Sequence, residues 1–268
     1  MSALSFTLKT ELNQRVDCSP LIPDLLAGKS TAEIAALDLQ SGNRKLRADA
    51  VFAIEGDDPN RIVFQQSTAK LDFIGKGMTS GSITVEGDAG SYLGMQMKNA
   101  VLHVSGNVDA YAACEMKSGE LIIEGSAGDF LGAALPGNQK GLQGGIVIVK
   151  GNVADRCGDH MRRGVILIEG NTGGYLGSRM GAGTIAVLGE IGPCPGYAMK
   201  RGTLLLLKQP SLSATFNDCG THTLGFLPLL LGSLRSYPSR FAELNLNRVR
   251  RYAGDLAGLG KGEILVAA

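Results

Sequence analysis

Residues 81–99 read GSITVEGDAGSYLGMQMKN, and this nineteen-residue phrase decides the fold because the chain repeats it. The phrase is anchored by Gly87, and equivalent glycines follow at positions 106, 125, 151, 170 and 189. Four of these five steps are 19 residues long, and the step from 125 to 151 is 26, which is one repeat plus an insertion of 7. A fixed period of this size is typical of a solenoid, in which each repeat stacks on its neighbours.

Equivalent positions of successive repeats carry the same kind of residue. Aliphatic residues stand four before each anchor: Ile83, Leu102, Leu121, Val147, Ile166, Ile185 and Leu204. A second aliphatic column stands two before it: Val85, Val104, Ile123, Val149, Ile168, Val187 and Leu206. Methionines stand ten after it: Met78, Met97, Met116, Met161, Met180 and Met199, with Leu142 behind the insertion. The period-two alternation indicates one strand per repeat, and the repeated glycines indicate bends.

A repeat of this length is long enough to circle a narrow core once, and stacking at ~4.8 Å would pair each strand with its copies above and below. The sequence therefore predicts an all-β, right-handed parallel β-helix, because the six-residue period of the left-handed type is absent. Solenoid ends need caps. We expect an irregular N-terminal cap with leading strands over 1–60, the β-helix over 61–208, and a partly helical C-terminal cap over 209–268.

Four local predictions fall outside the regular repeats. Ser30 and Glu33 have the spacing of a capping box and predict a short helix over 31–37. Residues 50–56 and 263–266 are predicted as strands, and residues 239–252 as a helix. The insertion, near 133–143, is predicted as a loop that leaves the coil; it either carries contacts or is a solvated bulge.

Composition argues against several classes of protein. A net charge of +1 predicts no attraction to nucleic acid or membrane. The apolar stretch 224–231 is too short to span a bilayer, and the N-terminus shows no secretory signal pattern. Five cysteines without a CxxC pair suggest free thiols and a cytoplasmic location. Cys157 shares a column with Leu93, Leu131 and Leu176, so we expect it in the core.

The sequence shows no catalytic constellation. His103, His160 and His222 form no metal-ligand pair with one another or with a cysteine. The pair 159–160 beside Cys157 could suggest a nucleophile, but the repeat explains the cysteine without one. We therefore expect no catalytic, cofactor-binding or metal-binding residue in this chain.

Two outward-facing columns could form interfaces. The first becomes apolar from the third repeat onward: Ile122, Ile146, Ile148, Val165, Leu167 and Leu205. An apolar patch of this size is covered either by a partner chain or by the chain's own C-terminal tail. The second column, beside the methionines, is basic: Lys98, Lys117, Arg162, Arg163, Lys200 and Arg201. It could guide an acidic partner surface or an extended polyanion, or it could be a solvated edge that discourages sideways pairing.

The repeated G-x-[ILV]-x-[ILV]-x-G-[DNS] followed by [YF]-x-G-x-x-M resembles the glycine-rich β-helix of glutamate synthase C-terminal domains and of the C subunit of formylmethanofuran dehydrogenase. Residues 42–56 are similar to the beginning of that subunit, the corners 161–164 and 199–202 to its repeats, and residues 251–256 and 260–265 to its end. The chain is identified as a member of this C-subunit group, whose bacterial relatives belong to a formyltransferase/hydrolase complex of methylotrophs.

The resemblance implies a non-catalytic scaffold subunit that binds no cofactor itself. Its partners would be an amidohydrolase-like subunit, a formyltransferase subunit and a further subunit. That complex passes a formyl group from formyltetrahydromethanopterin to a methanofuran-type carrier and hydrolyses it to formate. Alternatives are the C subunit of a molybdenum or tungsten formylmethanofuran dehydrogenase and a glutamate-synthase-type coupling domain. An independent β-helix enzyme is disfavoured because acidic residues such as Glu86 and Glu124 recur with the repeat and do not converge.

Overall fold

The computed structural model describes residues 2–268, most of which lie in strands and tight turns. The strands, in chain order, are β1 Ala3–Leu8, β2 Val16–Asp17, β3 Asp38–Ser41, β4 Arg44–Arg47, β5 Phe52–Glu55, β6 Asp58–Ser67, β7 Leu71–Asp72, β8 Ser82–Gly87, β9 Val101–Val104, β10 Glu120–Ile123, β11 Gln143–Val149, β12 Arg163–Ile168, β13 Thr184–Val187, β14 Arg201–Leu206, β15 Asn217–His222, β16 Val249–Gly254 and β17 Lys261–Ala267. The helices are α1 Pro23–Leu26, α2 Thr31–Ala35, α3 Ala48–Val51, α4 Leu227–Leu234 and a 3-10 turn at Arg240–Glu243.

One large sheet of 13 strands organises the chain, in the order β15-β16-β17-β14-β13-β12-β11-β10-β9-β8-β6-β1-β5. From β6 to β14 every neighbouring pair is parallel, and equivalent positions of the repeat face each other: Ile83 pairs with Leu102, and Leu102 with Leu121. Leu121 pairs with Val147, so the insertion is looped out without disturbing the register. The predicted β-rich fold with a large, mainly parallel sheet is confirmed.

A second line of pairing joins the repeats on another side. Single parallel bridges connect equivalent residues of successive repeats: Ala89, Val108, Ala127, Val153, Thr172 and Ile191. Each repeat therefore contributes a strand, one bridge residue and a turn segment. Gly87 shows why glycine closes the strand, since its φ is +120° and a Cβ there would lie 2.4 Å from the Ser67 carbonyl oxygen of the preceding repeat.

The inward columns form the core. The aliphatic positions of the strands, the methionine column and Leu142 are all buried in one continuous cluster. Cys157 lies in that cluster with Leu93, Leu131 and Leu176, as the repeat predicted. Stacking like side chains in register keeps the volume of each layer constant, which favours close packing along the whole length of the core.

The N-terminal segment extends the sheet. Strand β1 pairs parallel with β6, and β5 pairs antiparallel with β1. The helix predicted from Ser30 and Glu33 is present as α2, and both hydrogen bonds of the capping box form. The strand predicted over 50–56 is present only at Phe52–Glu55, because residues 50 and 51 belong to α3.

The helix predicted over 239–252 is wrong. Only Arg240–Glu243 is helical there, as a 3-10 turn, and the segment ends in strand β16. Strand β16 pairs antiparallel with β17, and this cross-strand partner overrides the local helical preference. The longest helix, α4, lies in the apolar stretch instead and begins with a proline in its first turn, a position that proline tolerates. Strand β17 contains the predicted strand 263–266.

The C-terminal tail covers the apolar outer face. The tail residues Leu227, Leu231, Leu234, Phe241 and Val249 form one buried cluster with the outward side of the sheet. The sheet contributes Ile122, Ile146, Ile148, Leu167, Ala186, Leu205 and Leu265, and Val165 packs against them partly buried. The partner-chain interpretation of this face is therefore wrong, because these side chains are already removed from solvent by the chain itself. No helix within residues 2–268 is long and apolar enough to cross a membrane.

Candidate functional site

The predicted basic column exists as a ladder along one edge of the molecule. The backbone N–H of Lys117 donates to the Met97 carbonyl at 2.9 Å, and the N–H of Lys200 donates to the Met180 carbonyl at 2.8 Å. Equivalent bonds hold Lys98 and Arg162 in the same register. All six predicted basic residues are exposed. Within residues 2–268 none of them forms an ion pair, so their positive charge is not neutralised by the chain.

Three of the six residues meet in one groove. Arg162, Arg163 and Arg201 line a shallow groove of about 520 Å³ together with Lys140 of the insertion loop and Gln143, and no carboxylate lines it. Lys98, Lys117 and Lys200 lie outside this lining. Gly181 interrupts the row of basic residues, and the Arg162 side chain lies against this glycine. A Cβ added to Gly181 would be 3.2 Å from the Arg162 Cδ. Such a cluster attracts anions, and salt should screen the attraction.

The insertion loop is tied to the repeats by Glu115. Its Oε1 accepts a hydrogen bond from Asn138 Nδ2 at 2.6 Å and one from the Leu135 N–H at 3.3 Å, and its Oε2 accepts one from Gln96 Nε2 at 2.9 Å. Burial by itself raises the pKa of Glu115, but these donors outweigh it and lower the pKa below its ordinary value. The loop is therefore anchored by a buried carboxylate rather than being a loose bulge.

A second buried carboxylate, Asp159, organises the next corner of the coil. Its Oδ1 accepts hydrogen bonds from Ser178 Oγ at 2.5 Å and Arg179 Nε at 2.9 Å. Its Oδ2 accepts one from Arg179 Nη2 at 2.8 Å and lies 2.9 Å from His160 Nδ1. Burial raises the pKa of Asp159, yet the hydrogen bonds together lower it below its ordinary value, so the carboxylate is ionised and fixes both neighbours.

The possible nucleophile beside this pair is inert. Cys157 is completely buried, and its burial raises the pKa of the thiol far above the ordinary range. A nucleophilic cysteine needs a thiolate and access to substrate, and this thiol has neither. Within residues 2–268 no group of three or more His, Cys, Asp or Glu side chains is arranged to hold a metal ion.

Aromatic rings form a ladder on the turn side of the repeats, which the sequence predictions did not single out. The rings of Phe73, Tyr92, Tyr111 and Phe130 stack at centroid distances of 4.8, 5.2 and 4.7 Å with nearly parallel planes. Arg156 occupies the next position, 6.0 Å from the Phe130 ring and 4.7 Å from the Tyr175 ring. The signal was present in the sequence as a Tyr/Phe column five residues after the anchor glycines, broken by Arg156 and ending at Cys194.

These features define a class of protein: a glycine-rich repeat protein with a mainly parallel sheet, whose candidate sites lie on its edges and corners. A sequence model of the GXGXG motif family matches residues 61–221, which is more than half of the chain. The chain belongs to the GXGXG motif family.

Similar proteins narrow this assignment. The C subunit of the formyltransferase/hydrolase complex of Methylorubrum extorquens is 42% identical over 86 residues, 32% of this chain and 32% of that protein. The C subunit of the tungsten-containing formylmethanofuran dehydrogenase 2 of Methanococcus maripaludis is 31% identical over 97 residues, 35% of this chain and 36% of that protein. In these two alignments the chain spans about a third of the length of the curated relatives.

A solved structure matches over nearly the full length. One chain of the formyltransferase/hydrolase complex of M. extorquens, crystallised in complex with methylofuran, superposes with a TM-score of 0.94 at 41% identity, covering 98% of this chain and 99% of that chain. The chain is thus homologous to the C subunit of that complex, and the corresponding formylmethanofuran dehydrogenase subunits are also related to it.

Proposed function

We propose that the chain is a non-catalytic scaffold subunit of a cytoplasmic formyltransferase/hydrolase complex. That complex would transfer a formyl group from formyltetrahydromethanopterin to a methanofuran-type carrier and hydrolyse it to formate. The observation that carries the proposal is the full-length similarity to one chain of the M. extorquens complex, with a TM-score of 0.94 and 41% identity. The partners would be an amidohydrolase-like subunit, a formyltransferase subunit and a further subunit.

The form of the chain fits a scaffold. The repeats wind as a right-handed parallel β-helix over 61–208, with caps over 1–60 and 209–268. Two lines of parallel pairing support the coil, one through the sheet and one through the bridge residues, and in both the offset is 19 residues except across the insertion, where it is 26. A stack of this kind is stiff and elongated, and it presents long edges on which several partners can bind.

Assignment of the chemistry to the partners is supported by the state of the polar groups. The two buried carboxylates, Glu115 and Asp159, are engaged by donors of the chain, and the thiol of Cys157 is protonated in the core. Neither carrier nor pterin would be held by this chain as a cofactor. The C subunit of a molybdenum or tungsten formylmethanofuran dehydrogenase is the second candidate, favoured by the 31% identity to the M. maripaludis protein. A glutamate-synthase-type coupling domain is the third.

Affinity purification of the tagged full-length chain from its native cell, followed by mass spectrometry and metal analysis, separates these candidates. The expected companions are an amidohydrolase and a formyltransferase without molybdenum or tungsten. Iron–sulfur and molybdopterin subunits would move the chain to the dehydrogenase, and a yellow flavoprotein would move it to the glutamate-synthase type. Recovery of the chain alone would contradict all three assignments.

The basic edge would guide an acidic surface of a partner or a polyanionic chain of the carrier. Arg162 and Lys200 represent its two parts, one inside the groove and one outside it. Charge reversal of both to Glu should slow formyl passage or loosen assembly, and the defect should be largest at low salt because free salt screens exposed charges.

The matched control reverses Lys208 and Arg235, which are also exposed, form no ion pair within residues 2–268 and do not line the groove. Steady-state turnover and gel filtration at low and high salt measure the effect. Unchanged turnover and assembly of the Arg162 and Lys200 variant at low salt would remove a guiding role from this edge.

A further inference from the structure

A recess separate from the basic groove lies under the insertion loop. It has a volume of about 430 Å³ and is lined by Tyr111, Phe130, Arg156, Asp159, His160 and Arg179, with loop residues 134–138 above them. We call it the insertion-loop recess. Two parts of its lining depart from the repeat: Arg156 replaces an aromatic ring, and the loop is the insertion itself.

Arg156 is held in place but has no anion of its own. Its guanidinium lies over the rings of Tyr175 at 4.7 Å and Phe130 at 6.0 Å, which restrict its orientation. Its backbone N–H donates to the Gly174 carbonyl at 2.8 Å. Within residues 2–268 its guanidinium makes no ion pair or side-chain hydrogen bond, so its five N–H donors remain available.

Arg179 and His160 are fixed by Asp159 and keep donors to spare. Two Arg179 nitrogens donate to the Asp159 carboxylate, which leaves three of its five N–H groups free. His160 meets Asp159 through Nδ1, so Nε2 is the nitrogen left for a ligand. Asp159 itself is 4% exposed and accepts from three side chains, so it acts as a positioning residue and not as a ligand.

The charge and shape of the lining select the ligand. Two guanidinium groups face one ionised carboxylate, which leaves a single excess positive charge when His160 is neutral. A monoanionic carboxylate group matches that excess, whereas a phosphate dianion would be only half compensated. Guanidinium forks bind planar carboxylates with two parallel hydrogen bonds, and the neighbouring aromatic rings suit the aliphatic carbons that carry a carboxylate.

We propose that the insertion-loop recess is a binding site for a carboxylate, with Arg156 and Arg179 as its charged donors and His160 Nε2 as a third polar contact. The carboxylate can come from a free small molecule or from an Asp or Glu side chain of a partner protein. In either case the insertion serves to roof the site, because Glu115 holds Asn138 and Leu135 over it.

The first experiment uses the full-length chain alone. Butyrate, a monocarboxylate with an aliphatic chain, is titrated at constant ionic strength, with sodium chloride as the reference, and binding is followed by calorimetry and by the imidazole resonances of His160. Saturable binding is expected, weakened about tenfold or more by Arg156→Gln because two charge-assisted hydrogen bonds are lost. The affinity of Arg156→Lys, which keeps the positive charge but cannot form two parallel hydrogen bonds, should lie between those of the wild-type chain and Arg156→Gln.

Arg235→Gln is the matched control, since Arg235 is exposed, forms no ion pair within residues 2–268 and lines neither the recess nor the basic groove. Thermal melts followed by circular dichroism verify that each variant is folded. Absence of saturable binding by the wild-type chain overturns the proposal. An affinity of folded Arg156→Gln equal to that of Arg235→Gln also overturns it.

The second experiment uses the complex assembled with its co-purified partners and identifies the source of the carboxylate. Butyrate that binds the complex, and binds it more weakly in the Arg156→Gln variant, indicates a free small molecule. Butyrate that no longer binds, together with weaker retention of partners by Arg156→Gln, indicates a partner side chain in the recess. Exclusion of butyrate with unchanged partner retention overturns the proposal.

Discussion

Replacement of Phe241 by Ala tests whether the C-terminal tail is an integral part of the fold. Phe241 is 0% exposed and belongs to the cluster that joins the tail to the outward side of the sheet. Truncation of a fully buried phenylalanine typically costs about 3–5 kcal/mol through lost transfer energy and the cavity left behind. Phe226, at the start of α4, is 41% exposed and provides a matched control of the same chemistry. Its truncation should cost less, about 1–2 kcal/mol, because part of its surface is already in water.

Urea unfolding followed by circular dichroism gives the two free energies of unfolding, and hydrogen exchange with mass spectrometry locates the loss. If the tail can detach without unfolding of the coil, residues 224–246 lose protection first while the inward columns keep it. The outward side chains Ile148, Leu167 and Leu205 then become exposed, and Phe241→Ala should bind a hydrophobic dye and associate with itself.

Equal costs for Phe241→Ala and Phe226→Ala, within about 0.5 kcal/mol, would refute the arrangement. That result would mean that the tail does not rest on the sheet in solution. The apolar face would then be free for a partner chain, the alternative that the buried cluster now contradicts.

Three further predictions each concern a single side chain or a single backbone position. Asp159→Asn should lower the free energy of unfolding by roughly 1–3 kcal/mol at neutral pH. Because the folded pKa of Asp159 lies below the unfolded one, the wild-type advantage is present above the unfolded pKa and is lost as the pH falls below about 4, which pH-dependent urea curves would detect. Gly87→Ala should destabilise more than Gly77→Ala by about 1 kcal/mol or more in the same assay: both have positive φ, but only at Gly87 does a Cβ meet a backbone oxygen, at 2.4 Å. In thiol titration of the native protein, exposed Cys194 should react quickly, whereas Cys114, whose pKa burial raises to about 12, should react only after unfolding.

The repeat made the coil predictable, because one register assigns every strand and every inward column at once. Ile83, Leu102 and Leu121 must face the same way if they occupy the same position of a repeat, and they do. The tail has no such register. Its helix lies at Leu227–Leu234 rather than over 239–252 because the shape of the apolar face that it covers decided where it forms, and that shape exists only after the sheet has assembled.

The insertion-loop recess could be predicted only by combining register with chemistry. His160 and Arg179 are 19 residues apart, so the repeat places them side by side even though no local motif joins them. Arg156 stands in the aromatic column, and its neighbours in space are Phe130 and Tyr175 of the adjoining repeats. Sequence proximity instead drew attention to Cys157, whose side chain faces the core and has no access to the recess.

A repeated coil gives every rung the same environment, so a site that binds one ligand must come from positions where the repeat is broken. In this chain the breaks coincide: the insertion, Arg156 and the Asp159–His160 pair lie within two successive rungs. The same loop contributes Lys140 to the basic groove and Asn138 to the recess. Selection for stability alone would favour an aromatic ring at 156, since a ring would continue the stack without leaving a guanidinium unpaired. An arginine held between rings and without an anion therefore argues that this corner is kept for binding.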